Sequence, residues 1–456
     1  MVGIDATIVN VALPAIHRDL HASFSGMQWI VDAYTLVLSS LLVLSGSTAD
    51  RVGRKFIFRL GVVLFTLGSA ACAAAPSITF LIAARAIQAI GGSMLNPVAI
   101  SIVRDVFDEP RARARALGIW SATVGVSMGL GPVIGGLLVD GPGWRFIFLV
   151  NIPIGLAALI LVTLFVPDSK APSARRFDLI GQLLVITALF ALVYAIIEGP
   201  DQGWGSPLIV LLFGLAVAAI IALIVYELRR TEPLIEMRFF RSAPFACASL
   251  TALFTFGVYG GFLFLNTLYL QDVRHYSALT AGLLTLPIAL MTLFLSPLSG
   301  RLVGGGRRGV RISLAAAGSG IALGAGLLTG LGATTPDWKL LVAYVIFGSG
   351  FGMVNPPITN TAVSGMPPAQ SGVAAALAST SRQVGATLGI AVLGAVAGSG
   401  DRHFGLGFVD ATHNAWWIVV ALALGVIFIG FTMTTRWAAD TSRRTAQALG
   451  NAPTAR

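Results

Sequence analysis

Four ionisable side chains stand inside long apolar stretches of this 456-residue chain: Asp5, Asp32, Arg85 and Arg382. A charge at the depth of a bilayer is costly, so such residues read by default as parts of an ion or substrate pathway. A carboxylate near an arginine can lose and regain a proton as the pair opens and closes, and Asp5 with Arg85 offers that chemistry. The plainer readings are a carboxylate near a ragged chain end for Asp5 and a structural anchor on backbone carbonyls for Arg85. Asp32, in Trp29-Ile30-Val31-Asp32-Ala33-Tyr34, lies toward the outer end of its stretch, where it could attract a cation or stay solvated. Arg382, with Gln383 beside it and small residues around it, either faces a cavity or ties helices together.

The elements that must hold these groups are membrane helices. Hydrophobic residues make up 56% of the chain and charged residues 11%, with a mean hydropathy of +0.84, which excludes a soluble domain of this length. Apolar stretches lie near 28–49, 56–75, 78–102, 114–139, 144–166, 179–197, 207–226, 244–270, 279–302, 310–331, 340–363, 372–397 and 415–434, after a first that ends at Pro14. That is fourteen spans, so both termini share a side. Met1 to Ile16 covers roughly 24 Å at about 1.5 Å per residue, short of a core of about 30 Å, so the sequence is expected to begin inside span 1.

Twenty-three of the thirty lysines and arginines fall on alternate loops and the tail, among them Arg51, Arg54, Lys55, Arg104, Arg175, Arg176, Arg301 and Arg436. The positive-inside rule puts those loops and both termini in the cytoplasm and the chain in the cell membrane. Topology and anionic lipid account for the net charge of +10 without a nucleic-acid partner. Cys72 and Cys247, both in apolar runs, form no disulfide framework or cysteine-rich metal site. The histidines at 17, 21, 275, 403 and 413 map to outer loops or span ends, away from any relay through the membrane. No lysine follows a glycine in a phosphate-binding loop, so ATP bound to this chain drives nothing.

The chain also repeats itself. Ser93-Met94-Leu95-Asn96-Pro97 resembles Gly352-Met353-Val354-Asn355-Pro356, and the segment from Ser45-Gly46 to Arg54 resembles that from Ser299-Gly300 to Arg307. Offsets of 259 and 254 residues imply two related six-helix halves separated by an insertion of two helices, with a midplane site between the halves. The organisation read from this is a bundle over 1–166, two inserted helices within 167–232, a second bundle over 233–436 and a tail over 437–456. Asn355-Pro356-Pro357 should break its helix, either to line a cavity or simply to end it early.

Gly46, Asp50, Arg51, Gly53, Arg54 and Lys55, in the turn after span 2, resemble the loop signature of the major facilitator superfamily, with Thr48 where leucine is usual. Asp5 to Pro14, including Asn10, resembles the span 1 signature of the 14-span drug:proton antiporters. Trp144, Arg145, Asn151, Pro153 and Gly155 resemble their span 6 pattern; Leu81, Arg85, Gln88, Gly91 and Gly92 resemble the superfamily's span 4 motif, with Ala89 replacing a glycine. Gly125, Gly129, Gly131, Pro132, Gly135 and Gly136 resemble the antiporter motif of span 5. Small residues there permit close crossing, and the proline kinks the helix, as a hinge or as a fixed bend.

This resemblance implies an all-α major facilitator fold of fourteen helices and proton-coupled efflux of hydrophobic or amphiphilic drugs by alternating access. Asp5, Arg85 and Asp32 are the proton-coupling candidates; Asn10, Tyr34, Gln88, Asn151, Asn355 and Arg382 are candidates for the cavity. No enzyme activity, metal or cofactor is implied, the driving force being the proton gradient, and the partners are protons, a small-molecule substrate and lipid, with the protein a monomer. With Asp5 and Asp32 both in the first half, an apolar second-half wall favours lipophilic or monovalent cationic cargo. The alternatives are an exporter dedicated to one endogenous metabolite, such as an antibiotic or amino acid, and a transport-dead membrane sensor or assembly partner.

Overall fold

Each apolar stretch is helical in the computed structural model, which describes residues 1–107, 109–170, 178–230, 232–367, 370–398 and 406–450. Arg175, Arg176, Arg402, His403 and Arg456 lie outside the described residues. The helices are α1 (Val2–Leu20), α2 (Phe24–Val52), α3 (Arg54–Ala73), α4 (Ile78–Val106), α5 (Pro110–Asp140), α6 (Phe146–Leu149), α7 (Asn151–Phe165), α8 (Leu179–Gln202) and α9 (Pro207–Arg229). They continue as α10 (Ala243–Leu268), α11 (Ala278–Gly304), α12 (Arg307–Leu328), α13 (Asp337–Gly352), α14 (Asn355–Val363), α15 (Ser371–Gly398), α16 (Leu406–Met433) and α17 (Arg436–Gly450).

Local chemistry sets the boundaries. Ser23, Ser77, Asp178, Ser206 and Ser277 each accept a hydrogen bond from the backbone N–H three residues on, which satisfies one of the donors a helix start leaves free. Gly53 turns the chain between α2 and α3 at φ 136°, a conformation open to glycine. The predicted end at Pro14 is wrong: α1 runs on to Leu20 and stops at His21, in the left-handed region at φ 50°. Leu13, Pro14 and Ile16 are all buried, and that burial outweighs the single hydrogen bond a proline removes. As expected, the chain breaks between α13 and α14 at Met353 and Val354, ahead of Asn355-Pro356-Pro357.

Among the described residues, twelve helical segments are long and apolar enough to cross a membrane. Leucines and phenylalanines such as Leu164, Phe165, Phe294 and Phe428 are exposed on the outer surface, where only lipid could cover them at low cost. Within the first part of the chain α4 packs on α2 and α3, α3 on α7, and α1 on α5; later, α10 packs on α15, α12 on α13 and α16, and α11 on α13. A serine in each of the resembling segments bonds across to another helix. Ser45 bonds Ser93 at 2.8 Å, and its counterpart Ser299 bonds the Met353 carbonyl at 2.9 Å.

The two parts meet along two seams, α5 with α11 and α2 with α15, and the α8–α9 hairpin lays α8 against both α2 and α15. Gln182 of α8 donates to the Ser40 carbonyl at 2.7 Å. Both seams are tight at the face away from the arginine-rich loops. Asp140 accepts from the N–H groups of Ala278 and Leu279 at 3.1 and 2.8 Å, capping α11; Gln28 donates to the Ile390 and Ala391 carbonyls, each at 3.2 Å.

Glycines make the α5 crossings possible. A Cβ on Gly136 would stand 2.5 Å from the Ala278 carbonyl oxygen, one on Gly129 would stand 2.8 Å from the Ala289 Cβ, and one on Gly135 would stand 2.8 Å from the Ile8 Cγ1. Gly131 abuts Thr7, whereas Gly125 meets nothing within 4 Å. Hence α5 is held between α1 and α11 over the half away from the arginine-rich face, while at Gly125, nearer that face, no neighbour lies close. Helix α5 continues through Pro132 as one helix, with Gly282 against the Pro132 backbone. We expect Gly136→Val to lower the unfolding temperature in detergent by several degrees and Gly125→Ala to leave it unchanged. Equal effects of the two substitutions, measured by differential scanning fluorimetry, would contradict this account of the crossing.

Candidate functional site

Between the diverging helices lies a cavity of about 1300 Å³. Its mouth, at the arginine-rich face, is lined by Asp50, Arg104, Asp178 and Glu232, and its wall includes Asn10, Tyr34, Asn96, Asn355, Arg382 and Gln383. The repeated Asn-Pro pairs, Asn96-Pro97 of α4 and Asn355-Pro356 of α14, both line it.

Behind the Tyr34 wall sits a buried polar cluster that gathers five of the residues singled out from the sequence. Asp5 from α1 and Arg85 from α4 form an ion pair at 2.5 Å. Gln88, one turn beyond Arg85, accepts from its guanidinium at 2.7 Å and donates to the other Asp5 oxygen at 2.8 Å. Asn151, at the start of α7, donates to that same oxygen at 3.2 Å. The Arg85 Nε donates to the Ile30 carbonyl at 3.2 Å, and the guanidinium lies 4.1 Å from the Tyr34 ring centroid. Asp5 and Gln88 are fully buried, and Arg85, Tyr34 and Asn151 nearly so. The paired charges, the satisfied Asp5 oxygens and the cation–π contact are what such burial requires, whereas the Tyr34 hydroxyl and the Asn151 Oδ1 have no protein partner.

Ser69 was not apparent in the sequence. It accepts from Gln88 at 2.7 Å, and it can do so because α3 and α4 touch: a Cβ on Gly68 would stand 2.6 Å from the Gln88 Cα. The Gly68-Ser69 pair in a span was the only available hint. Gly155 likewise abuts Thr66 of α3. Trp144 and Arg145 bond Asp19 at 3.0 and 2.7 Å, tying the end of α1 to the chain before α6.

Asp32 does not join this cluster. It was expected to attract a cation or stay solvated; instead it is fully buried, with one oxygen accepting from Thr35 at 3.2 Å and the other without a protein partner. It shares a face of α2 with Gln28 and Leu36, and both of those meet α15, so closure of that seam removes it from solvent. The loop motif also stands apart, at the arginine-rich face. There Arg54 joins Asp50 at 3.0 Å and Asp105 at 2.9 Å, linking the α2–α3 turn to the end of α4; Gly46 lies against Pro97, Lys55 is half-buried and Arg51 is exposed. On the opposite face Tyr276 donates to Asp337 at 2.6 Å. That bond holds its phenol above the ordinary pKa.

A helical bundle with a lipid-like exterior, a cavity open at one face and a charge pair buried beside it is a membrane transporter by class. The family model of the Major Facilitator Superfamily matches residues 1–390, and the chain belongs to that family. It is 39% identical over 396 residues to the Multidrug resistance protein Stp of Mycobacterium tuberculosis (strain ATCC 25618 / H37Rv), covering 87% of this chain and 73% of that protein. It is 35% identical over 434 residues to the Methylenomycin A resistance protein of Streptomyces coelicolor, covering 94% and 88%. Among solved structures, a bacterial homologue of the human lysosomal transporter Spinster in an inward-facing conformation matches with a TM-score of 0.67 at 18% identity, over 98% of this chain and 95% of that one. The last likeness bears on fold alone.

Removing one partner of a buried pair strands the other charge at a cost of about 3–5 kcal/mol. We expect Arg85→Ala to destabilise the protein on that scale, and Asp5→Asn combined with Arg85→Met to cost less than the sum of the two single changes. Reaction of buried Cys72 with a thiol-reactive dye during heating reports the unfolding. Strictly additive losses would show that the two side chains act independently.

Proposed function

We propose that the protein is a proton-coupled antiporter that exports hydrophobic or amphiphilic small molecules by alternating access across the cell membrane. The observation that carries this reading is the Asp5–Arg85 pair, buried directly behind the cavity wall. In this reading the arginine-rich face and both termini are cytoplasmic, in accord with the positive-inside rule. Fourteen helices cross the membrane: the twelve apolar ones with α1 and α15, arranged as two six-helix bundles with the α8–α9 hairpin inserted. The protein acts as a monomer without ATP, metal or cofactor.

Asp5 is ionised and paired while the cavity faces the cytoplasm and takes up cargo. Cargo against Tyr34 presses on the ring that contacts Arg85, and the transporter then closes at the cytoplasmic face and opens outward. There a proton reaches Asp5 and weakens its attraction to Arg85, and release of that proton on the cytoplasmic side restores the pair. Opening outward requires the Asp140 cap on α11 and the Gln28 bonds to α15 to break. At about 0.5–1.5 kcal/mol net per hydrogen bond, that is a barrier cargo binding can offset.

A second reading, an exporter of one endogenous antibiotic, is favoured by relatives whose names specify a single compound, the Methylenomycin A resistance protein and the Tetracenomycin C resistance and export protein of Streptomyces glaucescens. Efflux of a panel of dyes and antibiotics from cells separates the two readings. For the coupling, cargo that binds the form with ionised Asp5 should draw purified protein out of its protonated form, so adding rhodamine 6G should release protons, and Asp5→Asn should bind the dye without release. In proteoliposomes the same variant should no longer respond to a pH gradient. Proton release from Asp5→Asn equal to that of the unmodified protein would move the coupling site elsewhere, with Asp32 the next carboxylate to test.

A further inference from the structure

Arg382 is a charge for which the described residues supply no counter-ion. It lies eleven residues into α15 from Ser371, about 16 Å along the helix from the arginine-rich end, and its side chain lines the cavity. Its one protein hydrogen bond among the described residues is a long one to the Thr359 hydroxyl, 3.5 Å, and no carboxylate lies within ion-pair distance. The other charged residues of the cavity wall, Asp50, Arg104, Asp178 and Glu232, all belong to its mouth: last turns of α2 and α4, the cap of α8 and the segment after α9. The expected apolar second-half wall therefore carries a single cation at depth.

Around that cation is an aromatic shelf. The guanidinium carbon is 5.9 Å from the Phe256 ring centroid; Phe256 meets Phe351 edge-on at 5.6 Å, and Tyr259 stacks on Phe351 at 4.3 Å with planes 11° apart. All three rings line the cavity. We propose that Arg382 and this shelf form a subsite for an aromatic organic anion, with a carboxylate, phenolate or similar oxygen on the guanidinium and the ring system against Phe256, Tyr259 and Phe351. Arginine presents a planar fork of donors suited to such oxygens, and its charge must lose water when the cavity closes. A cargo that brings its own anionic oxygen removes that penalty, so it favours the closing step where a neutral or cationic cargo does not.

The subsite rests on the export reading only for its physiological use; binding to it can be measured without transport. The probes are fluorescein, which carries a phenolate on a xanthene ring and a carboxylate on its pendant phenyl ring, and rhodamine 6G, a cation on the same ring system whose carboxylate is esterified. Fluorescence anisotropy with purified protein in detergent should show saturable fluorescein binding. That binding should weaken about tenfold or more in Arg382→Gln and less in Arg382→Lys, which keeps the charge without the fork. Rhodamine 6G binding should be unchanged or tighter in Arg382→Gln, which also shows that the variant is folded. Unaltered fluorescein affinity in Arg382→Gln, or no fluorescein binding by the unmodified protein, overturns the proposal. Arg382-dependent fluorescein binding without efflux of either dye from vesicles would leave the subsite standing and remove the export reading.

Discussion

A carboxylate and a guanidinium buried together in a low-dielectric interior must stay paired and hydrogen-bonded, and much of the first part of this chain is arranged around that requirement. The Asp5 oxygens receive Arg85, Gln88 and Asn151, from α4 and α7. Gln88 is itself fixed by Ser69 of α3. For those side chains to converge, α3 and α4 must approach until backbone meets backbone, which Gly68 and Gly91 allow. The small residues of these spans thus serve the charge pair as well as general helix packing.

The same pair is mechanically connected to the seam between the two parts. Helix α1 carries Asp5 and is clasped by α5 at Gly131 and Gly135, while the other side of α5 crosses α11 at Gly129 and Gly136. A displacement of α11 relative to α5 is therefore transmitted through close contacts to the helix that bears the carboxylate. On the other seam, α8 rests on both α2 and α15, so any displacement of α2 relative to α15 would make the α8–α9 hairpin move with one helix or slide against the other. Packed interfaces of this kind have discrete arrangements because their interiors are too dense to deform smoothly.

Arg85 and Arg382 are both arginines in spans, yet their surroundings differ. Arg85 has a carboxylate, a glutamine, a backbone carbonyl and a tyrosine ring as neighbours. Arg382 has a distant hydroxyl and a phenylalanine ring beside open space. In the sequence each is an isolated cation among small and apolar residues, and only the span 4 motif set Arg85 apart. Complementary charges on different helices have no sequence spacing that marks them: Asp5 and Arg85 are eighty residues apart.

The sequence by itself determined that the chain is helical and membrane-embedded, where its helices lie, which face carries the arginines, and that two segments repeat. Hydropathy, charge and proline or glycine position act locally, so each is legible along the chain. It also marked Asp5, Arg85, Gln88, Asn151 and Tyr34 individually, through motifs. Their convergence into one cluster was decided by tertiary structure, as were the continuation of α1 past Pro14, the complete burial of Asp32 and the placing of Arg382 away from every carboxylate among the described residues. Each of these depends on which side chains a neighbouring helix presents, and that follows from the crossing of distant segments at small residues, a property no single stretch of sequence contains.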